Sequence, residues 1–239
     1  MANPRPKKVL FVHTPKAAGV YLIEYFRTRL GYARTQSTKQ TDSGVWLDFT
    51  PDELLEHLDD EGFINTHVLS AGWSDLVALV PAASTDEIVR TIRAFRARGW
   101  FVFTFVRHPG EHLCSFYHYV LDAQRRGWHE SVRLHAPAVD RTLEAFVSEH
   151  CERELLPAYW RELDFAGLAS DENLAAFFAR HFDHAFEPRA MDAHASGSRG
   201  YAHYCGTGEI SAETQARIEA STNMAIYREI AGRRDGDGE

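Results

Sequence analysis

The chain has little cysteine and no long apolar run. Its three cysteines, Cys114, Cys151 and Cys205, are scattered over 239 residues. That pattern excludes a disulfide framework or a zinc ribbon and predicts reduced thiols in a cytoplasmic protein. The apolar segment that follows Lys8 is too short for a signal-peptide core or a membrane span. We therefore expect no membrane partner.

The chain also lacks an excess of positive charge, internal repeats and a linker rich in Gly, Pro or Ser. The net charge of −8 argues against nucleic acid as a partner, although it does not exclude a local basic pocket. Hydrophobic and charged contents of 44% and 25% are typical of a globular protein. We expect one domain over residues 1–232 and a disordered tail at 233–239.

Apolar runs and capping residues predict alternating strands and helices. Continuous apolar runs predict buried strands at 9–13, 62–66 and 100–106. Helical spacing predicts helices over 19–30, 51–58, 85–98, 109–126, 142–151, 171–181 and 210–230, with a loop at 35–43 and a late strand at 185–186. The predicted caps are Thr50 with Glu53, Thr85, Ser211 and, at a helix end, Gly99. This order predicts an α/β fold with a parallel sheet that helices cover on both faces.

Two of the predicted strands end on a cation at the start of a helix. Lys16 lies in the loop after the first strand, and Arg107 follows the strand at 100–106 directly. The carboxyl ends of parallel strands form the ligand edge of an open sheet, and helix N-termini there bind anions. The sequence therefore predicts a site for a ligand with two separate anionic groups.

The loop Pro15-Lys16-Ala17-Ala18-Gly19 is not a Walker phosphate loop, because its lysine precedes the glycine and the chain contains no Gly-Lys-Ser/Thr. It resembles the 5′-phosphosulfate loop of the sulfotransferases that use PAPS (3′-phosphoadenosine 5′-phosphosulfate), particularly the carbohydrate-type and bacterial members. That loop is commonly Pro-Lys-Thr-Gly/Ala-Gly/Thr-Thr-Ser/Thr. Arg107, Pro109 and Ser115 resemble the 3′-phosphate motif of the same family, Arg-x-Pro with a serine eight residues beyond the arginine. The resemblance extends over residues 8–230 and is specific at these two motifs.

The resemblance implies a fold, a reaction and a set of site residues. The fold is a P-loop-like three-layer sandwich, and the reaction moves a sulfuryl group from PAPS to a hydroxyl of a small molecule or sugar by direct in-line transfer, leaving PAP. The implied cofactor-binding residues are Pro15, Lys16, Ala17, Ala18, Gly19, Val20, Tyr21, Arg107, Ser115, Arg199 and Gly200. Of these, Arg107 and Ser115 would clamp the 3′-phosphate, and Lys16 would stabilise charge that develops as the S–O bond breaks. Arg199 and Gly200 belong to a late segment that resembles a nucleotide-covering loop, or equally a plain solvent loop.

His67 follows the middle predicted strand, between the two motifs. In the carbohydrate-type sulfotransferases a histidine in that interval often acts as the general base, and imidazole suits the task near neutral pH. The chain contains 13 histidines, so a structural, hydrogen-bonded His67 is an equally good interpretation. His108 and His112 are spaced like metal ligands on a helix, but no third ligand accompanies them, and we predict no metal site.

One departure from the family pattern bears on function. Val20 and Tyr21 replace the hydroxyl residues that usually follow the loop glycine, and Ala17 stands where threonine is common. Each lost hydrogen bond to a charged group costs about 1.5–3 kcal/mol. The departure leaves three interpretations open: weaker PAPS binding, substitution by the Tyr21 hydroxyl, or a repurposed, non-catalytic protein that binds PAP-like nucleotides. A P-loop-like kinase is less favoured. The sequence identifies neither the acceptor nor the oligomeric state.

Overall fold

The computed structural model describes residues 5–33, 37–40, 46–69, 81–126, 140–187 and 198–233. Its strands are β1 (Lys8–Val12), β2 (Thr38–Gln40), β3 (Trp46–Asp48), β4 (Gly62–Thr66), β5 (Phe101–Val106) and β6 (Phe165–Leu168). Its α-helices are α1 (Gly19–Thr28), α2 (Pro51–Leu55), α3 (Thr85–Ala97), α4 (Pro109–Arg125), α5 (Leu143–His150), α6 (Asp171–Phe182), α7 (Tyr201–Gly206), α8 (Ala212–Ala220) and α9 (Thr222–Gly232). A 3₁₀ helix covers Trp160–Glu162.

Four of these strands form one parallel sheet in the order β4-β1-β5-β6. Val9 lies between Phe63 of β4 and Phe101 of β5, and Phe103 pairs with Phe165 of β6. Because all four strands run the same way, their carboxyl ends meet at one edge of the sheet. The loops after β1, β4 and β5 therefore lie side by side, and they carry Lys16, His67 and Arg107 respectively.

Helices cover both faces of the sheet, because successive strand residues point to opposite sides. On one face Leu10, Val12 and Val102 join the apolar core that includes residues of α3, α4, α5, α8 and α9. On the other face Val9 and Phe11 pack with aromatic residues of α1 and α6, including Phe26, Phe177 and Phe178. The α/β layering predicted from the order of elements is confirmed.

Most predicted elements are present, with ends that differ by a few residues. Thr50 and Glu53 form the predicted capping box at α2. Ser211 caps α8 through the Thr214 N–H, and Gly99 takes the left-handed φ of 77° expected after a helix. The prediction of Thr85 as an N-cap was wrong by one residue, because Ser84 caps α3 and forms a capping box with Glu87.

Two predictions about strands and loops were wrong, and strands β3 and β6 were not predicted. Strand β2 occupies part of the predicted loop 35–43 and pairs antiparallel with β3. Strand β6 was missed, because its four residues include Gly167 and carry little periodic signal. Its pairing is fixed by Asp164, whose N–H donates to the Val102 carbonyl and whose carboxylate accepts from the Val102 N–H, both at 2.8 Å. The segment 185–186 is not a strand; Phe186 stacks on Phe178 instead.

The predicted C-terminal helix over 210–230 is two helices that Ser221 separates. The Ser221 backbone is extended, with φ −72° and ψ 155°. Its hydroxyl donates to the Ile218 carbonyl at 2.7 Å and accepts from the Met224 N–H, so it caps one helix while it ends the other. The predicted tail lies almost wholly outside the described residues, and no helix in the described ranges is long and apolar enough to span a membrane.

Candidate functional site at the carboxyl edge of the sheet

The loop after β1 is held in a tight conformation by main-chain hydrogen bonds. The His13 N–H donates to the Thr66 carbonyl at 2.8 Å, which extends the pairing of β1 with β4, and the Ala17 N–H donates to the Thr14 carbonyl at 3.1 Å. Lys16 and Ala18 both have left-handed backbones, with φ of 64° and 61°. Such conformations are strained for residues with a Cβ and occur in loops whose successive N–H groups form anion-binding concavities.

Gly19 is required because the His13 imidazole lies directly beneath it. A Cβ built on Gly19 would lie 1.7 Å from His13 Nε2, which no side chain can tolerate. His13 itself is 6% exposed and stacks on Phe11, with ring centroids 5.1 Å apart. The positions of Gly19 and of His13, which directly follows β1, therefore depend on each other sterically.

Lys16 is a partly desolvated cation at the edge of this loop. Its Nζ lies 4.4 Å from the centre of the Tyr119 ring, a cation–π contact. Burial and, to a lesser extent, the Arg107 charge lower the Lys16 pKa to about 8, against the opposing effect of Asp122. Asp122 is itself paired with Arg126 at 2.9 Å. The one carboxylate that acts on the Lys16 ammonium within the described ranges is therefore already paired with another cation.

Arg107 brings the second motif against the first. It follows β5, and its Nη1 donates to the Lys16 carbonyl at 3.2 Å. Neither Arg107 nor Lys16 forms an ion pair with a carboxylate in the described part of the chain. Two cations held together without a counter-ion create a positive potential that an anionic ligand would relieve.

His112 is a second link between the motifs. It is fully buried on α4, and its Nε2–H donates to the Pro15 carbonyl. Burial lowers its pKa to about 3, with Arg107 and Lys16 adding to the shift and the Pro15 hydrogen bond opposing it. His112 is therefore neutral near pH 7 and holds the loop without adding charge. No group of three or more His, Cys, Asp or Glu side chains suited to a metal ion is found within the described ranges.

His67 lies beside the loop and is held on two sides. Its Nδ1 is 2.9 Å from Asp48 Oδ2, and its backbone N–H donates to the same oxygen at 3.0 Å. Its ring lies over that of His13, with centroids 4.2 Å apart. Burial lowers the His13 pKa well below its usual value, and His67, His112 and Lys16 lower it further, so His13 is neutral.

Ser115 and the Arg199–Gly200 segment are both associated with α4, the helix that follows Arg107. Ser115 is 6% exposed on α4, about 9 Å along the helix axis from Pro109. The segment of Arg199 and Gly200 docks on the first turn of α4, because the Tyr201 N–H donates to Glu111 Oε1 at 2.8 Å. The Arg199 N–H donates to the Tyr204 hydroxyl at 2.9 Å, and the Arg199 side chain is exposed.

Val20 and Tyr21 differ in their contacts: Val20 is exposed, whereas Tyr21 contacts the segment after α6. Val20 lies in the first turn of α1 and is 54% exposed. Among the residues that the structure describes, it is the one large apolar side chain that is exposed. Tyr21 leans toward the segment after α6: its hydroxyl donates to the Glu187 carbonyl at 3.2 Å, and its ring meets Phe186 edge-on at 5.9 Å. Ala17 is fully buried, so a larger residue there would have to be accommodated by the packing around the loop.

Two hollows in the described surface lie at opposite edges of the sheet. One of about 180 Å³ lies at the carboxyl edge, between the ends of β5 and β6, and is lined by residues that include Arg107, His108, Glu111, Ser170 and Tyr227. A larger one of about 410 Å³ lies at the amino edge, near Arg5 and Gly62. Of the two, the smaller hollow is the one lined by a motif cation, Arg107, so we place the candidate site at the carboxyl edge despite the difference in volume.

Three residues of the site were not identified from the sequence in these roles: His13, Asp48 and His112. His13 had a signal, since it shares the face of Phe11 and immediately precedes the loop. Asp48 and His112 reach the site only through tertiary contacts. No protein-family model matches the chain, and no curated protein matches it either.

Proposed function

We propose that the protein is a P-loop-like sulfotransferase that transfers a sulfuryl group from PAPS to a hydroxyl of a small molecule or sugar. The observation that carries the proposal is the meeting of Lys16 and Arg107, joined by the Arg107 bond to the Lys16 carbonyl at 3.2 Å. The two cations arise from motifs 91 residues apart, which the family resemblance assigns to the two anionic ends of the same nucleotide.

The residues present suit such a nucleotide. The left-handed backbone at Lys16 and Ala18 gives a loop of the kind that cradles anions. Lys16 and Arg107 supply positive charge, and neither is ion-paired with a carboxylate in the ranges that the structure describes. Lys16 and residues 15–21 would hold the phosphosulfate end, and Arg107, Ser115 and the Arg199–Gly200 segment would hold the 3′-phosphate end.

Each residue then has a chemical role. Bound PAPS supplies an activated sulfuryl group. Lys16 stabilises the negative charge that grows on the bridging phosphate oxygen, and this electrostatic effect is strong where water is excluded. Arg107 selects a nucleotide with a 3′-phosphate over ATP. His67 accepts the proton of the attacking hydroxyl.

One observation favours a second candidate, a repurposed protein that binds PAP-like nucleotides without catalysis. The exposed Val20 offers a methyl group where the family commonly has a hydroxyl, and the Tyr21 hydroxyl bonds the Glu187 carbonyl. Such a protein would keep the 3′-phosphate clamp and lose the contacts that distinguish PAPS from PAP.

A transfer assay separates the two candidates. Wild-type protein, Lys16→Ala and the matched control Arg98→Ala are incubated with sulfur-labelled PAPS and a panel of sugars and phenols. Arg98 is a good control because it is exposed, pairs with Asp59 and precedes the amino end of β5. We expect transfer by wild type and Arg98→Ala, and a loss of about 10²–10³-fold in kcat for Lys16→Ala. PAP binding without transfer by any variant would support the second candidate instead.

A further inference from the structure

A buried carboxylate lies against His67 although neither sequence motif contains it. Asp48 Oδ2 is 2.9 Å from His67 Nδ1 and 3.0 Å from the His67 backbone nitrogen. The Asp48 side chain is 6% exposed, whereas that of His67 is 28% exposed. One sheltered oxygen therefore accepts from both the ring and the main chain of a histidine that still reaches solvent.

We propose that Asp48 is a positioning residue for sulfuryl transfer, and this inference rests on the proposed function. A carboxylate beside Nδ1 keeps the imidazole proton on that nitrogen. The lone pair of Nε2 is then free to take a proton from the acceptor hydroxyl. The hydrogen bond that one ring nitrogen makes decides which chemistry the other can perform.

The surroundings of Asp48 favour a fixed geometry. Asp48 ends β3, and the next residue, Phe49, donates its N–H to the Ser37 carbonyl at 2.9 Å. The Ser37 hydroxyl in turn donates to the Asn65 carbonyl of β4. The hairpin that carries Asp48 is thus bonded to the strand that precedes His67, so the carboxylate and the imidazole belong to one bonded unit.

The His13 ring restricts His67 from a second direction. Its centroid lies 4.2 Å from that of His67, with 38° between the ring planes. His13 is buried, so it offers an uncharged surface. Asp48 holds the edge of the His67 ring and His13 covers a face, which limits rotation of the ring about its side-chain bonds.

The bonds and the proton that move during sulfuryl transfer show what the Asp48 carboxylate contributes. The acceptor oxygen forms a bond to sulfur while the bond from sulfur to the phosphate oxygen breaks, and PAP leaves. The proton of the acceptor moves to His67 Nε2, which makes the ring an imidazolium. The Asp48 carboxylate stabilises that cation without taking a proton itself, as the orienting carboxylate does in a catalytic triad.

The kinetic test compares Asp48→Asn with a matched control, Asp52→Asn. Asp52 is an acid of α2 that is 79% exposed and pairs with Arg90. Asparagine at position 48 can still accept from the His67 backbone, so the hairpin should remain folded. We expect Asp48→Asn to lower kcat by about 10- to 100-fold, less than the 10²–10⁴-fold that loss of the base itself would cause. PAP affinity should stay within about twofold of wild type, and Asp52→Asn should behave as wild type.

Two further measurements separate positioning from a structural role. In a His67→Ala background, Asp48→Asn should cause no further loss of kcat, because residues that act through each other are not additive. Nitrogen NMR of His67 should show the Nδ1–H tautomer in the wild type and a mixture of tautomers in Asp48→Asn.

The outcomes distinguish a failure of the role of Asp48 from a failure of the proposed function. Active wild type with an unchanged Asp48→Asn, additive losses, or an Nε2–H tautomer in the wild type would overturn the role of Asp48 alone. A wild type that transfers sulfuryl to no acceptor would overturn the proposed function, and the role of Asp48 with it.

Discussion

Lys16 gives the site a pH dependence that can be measured directly. Its pKa is lowered to about 8, first by burial and then by Arg107. A bound anion restores the preference for the charged ammonium and raises this pKa. The affinity gained from the charge is therefore complete below about pH 8 and is lost as the pH rises above it, by at most tenfold per unit.

The expected result is a PAP dissociation constant that is level between about pH 7 and 8 and rises toward pH 9.5. Calorimetry over that range measures it. Lys16→Met, which keeps much of the side-chain length without the charge, should bind more weakly with a level profile. A level wild-type profile throughout would contradict the placement of Lys16 against the ligand.

Val20 tests the departure from the family loop. Because Val20 is 54% exposed, Val20→Thr keeps the shape of the side chain and should leave the fold unchanged. We expect it to tighten PAPS by about 1–2 kcal/mol, the scale for one added hydrogen bond to a charged group, and to leave PAP nearly unaffected. Competition binding with both nucleotides measures the difference. An equal effect on PAPS and PAP would mean that position 20 does not face the phosphosulfate.

At the scale of elements, α4 holds the first loop through His112. Its bond to the Pro15 carbonyl is buried, so His112→Leu leaves that carbonyl without a partner and should lower the free energy of unfolding by about 1–3 kcal/mol. His150 on α5 is a matched contrast, because it is buried and neither of its ring nitrogens has a hydrogen-bond partner in the described structure.

His150→Leu should accordingly be neutral or stabilising, since it removes polar atoms that are buried without hydrogen bonds. Urea unfolding of both variants measures the contrast, and hydrogen exchange should show faster exchange of the loop amides at 16–19 in His112→Leu alone. Equal destabilisation by the two substitutions would contradict the role of His112 as a link between the motifs.

The elements that the sequence predicts well have local signals. The apolar run of β5, the capping box of Thr50 and Glu53, and Gly99 after α3 each act within a few residues of chain. Strand β6 and the pairing of β2 with β3 do not, because their residues gain partners only from distant segments. The residues of the candidate site also divide into those with a local signal in the sequence and those that depend on distant segments. Lys16 and Arg107 were predictable from spacing, whereas Asp48 acquires its partner only when the hairpin docks on β4.

At the scale of the whole molecule, buried histidines should make the protein sensitive to acid. Burial lowers the pKa of His112 to about 3 and that of His150 to about 4, and it lowers that of His13 as well. In the unfolded chain these side chains take up protons near pH 6.5. Below that pH the unfolded state binds more protons than the folded state, so stability falls as the pH falls.

Each such histidine contributes a slope of at most about 1.4 kcal/mol per pH unit between pH 6.5 and its folded pKa. Urea unfolding at about pH 7.5, 6 and 5 should show a progressive loss of stability, and His150→Leu should reduce the slope. Stability that is constant from pH 7.5 to 5, or a slope unchanged in His150→Leu, would show that these histidines are not held neutral.

The account requires one site for a nucleotide with two anionic ends, and calorimetry with PAP and 5′-AMP tests it most directly. The two ligands differ only in the 3′-phosphate. With EDTA and no added metal, wild type should bind PAP more tightly than 5′-AMP, and Arg107→Ala should abolish the preference by weakening PAP about 30-fold or more. Arg98→Ala should bind both ligands as wild type does. Equal binding of PAP and 5′-AMP by the wild type, or PAP affinity unchanged in Arg107→Ala, would contradict the account.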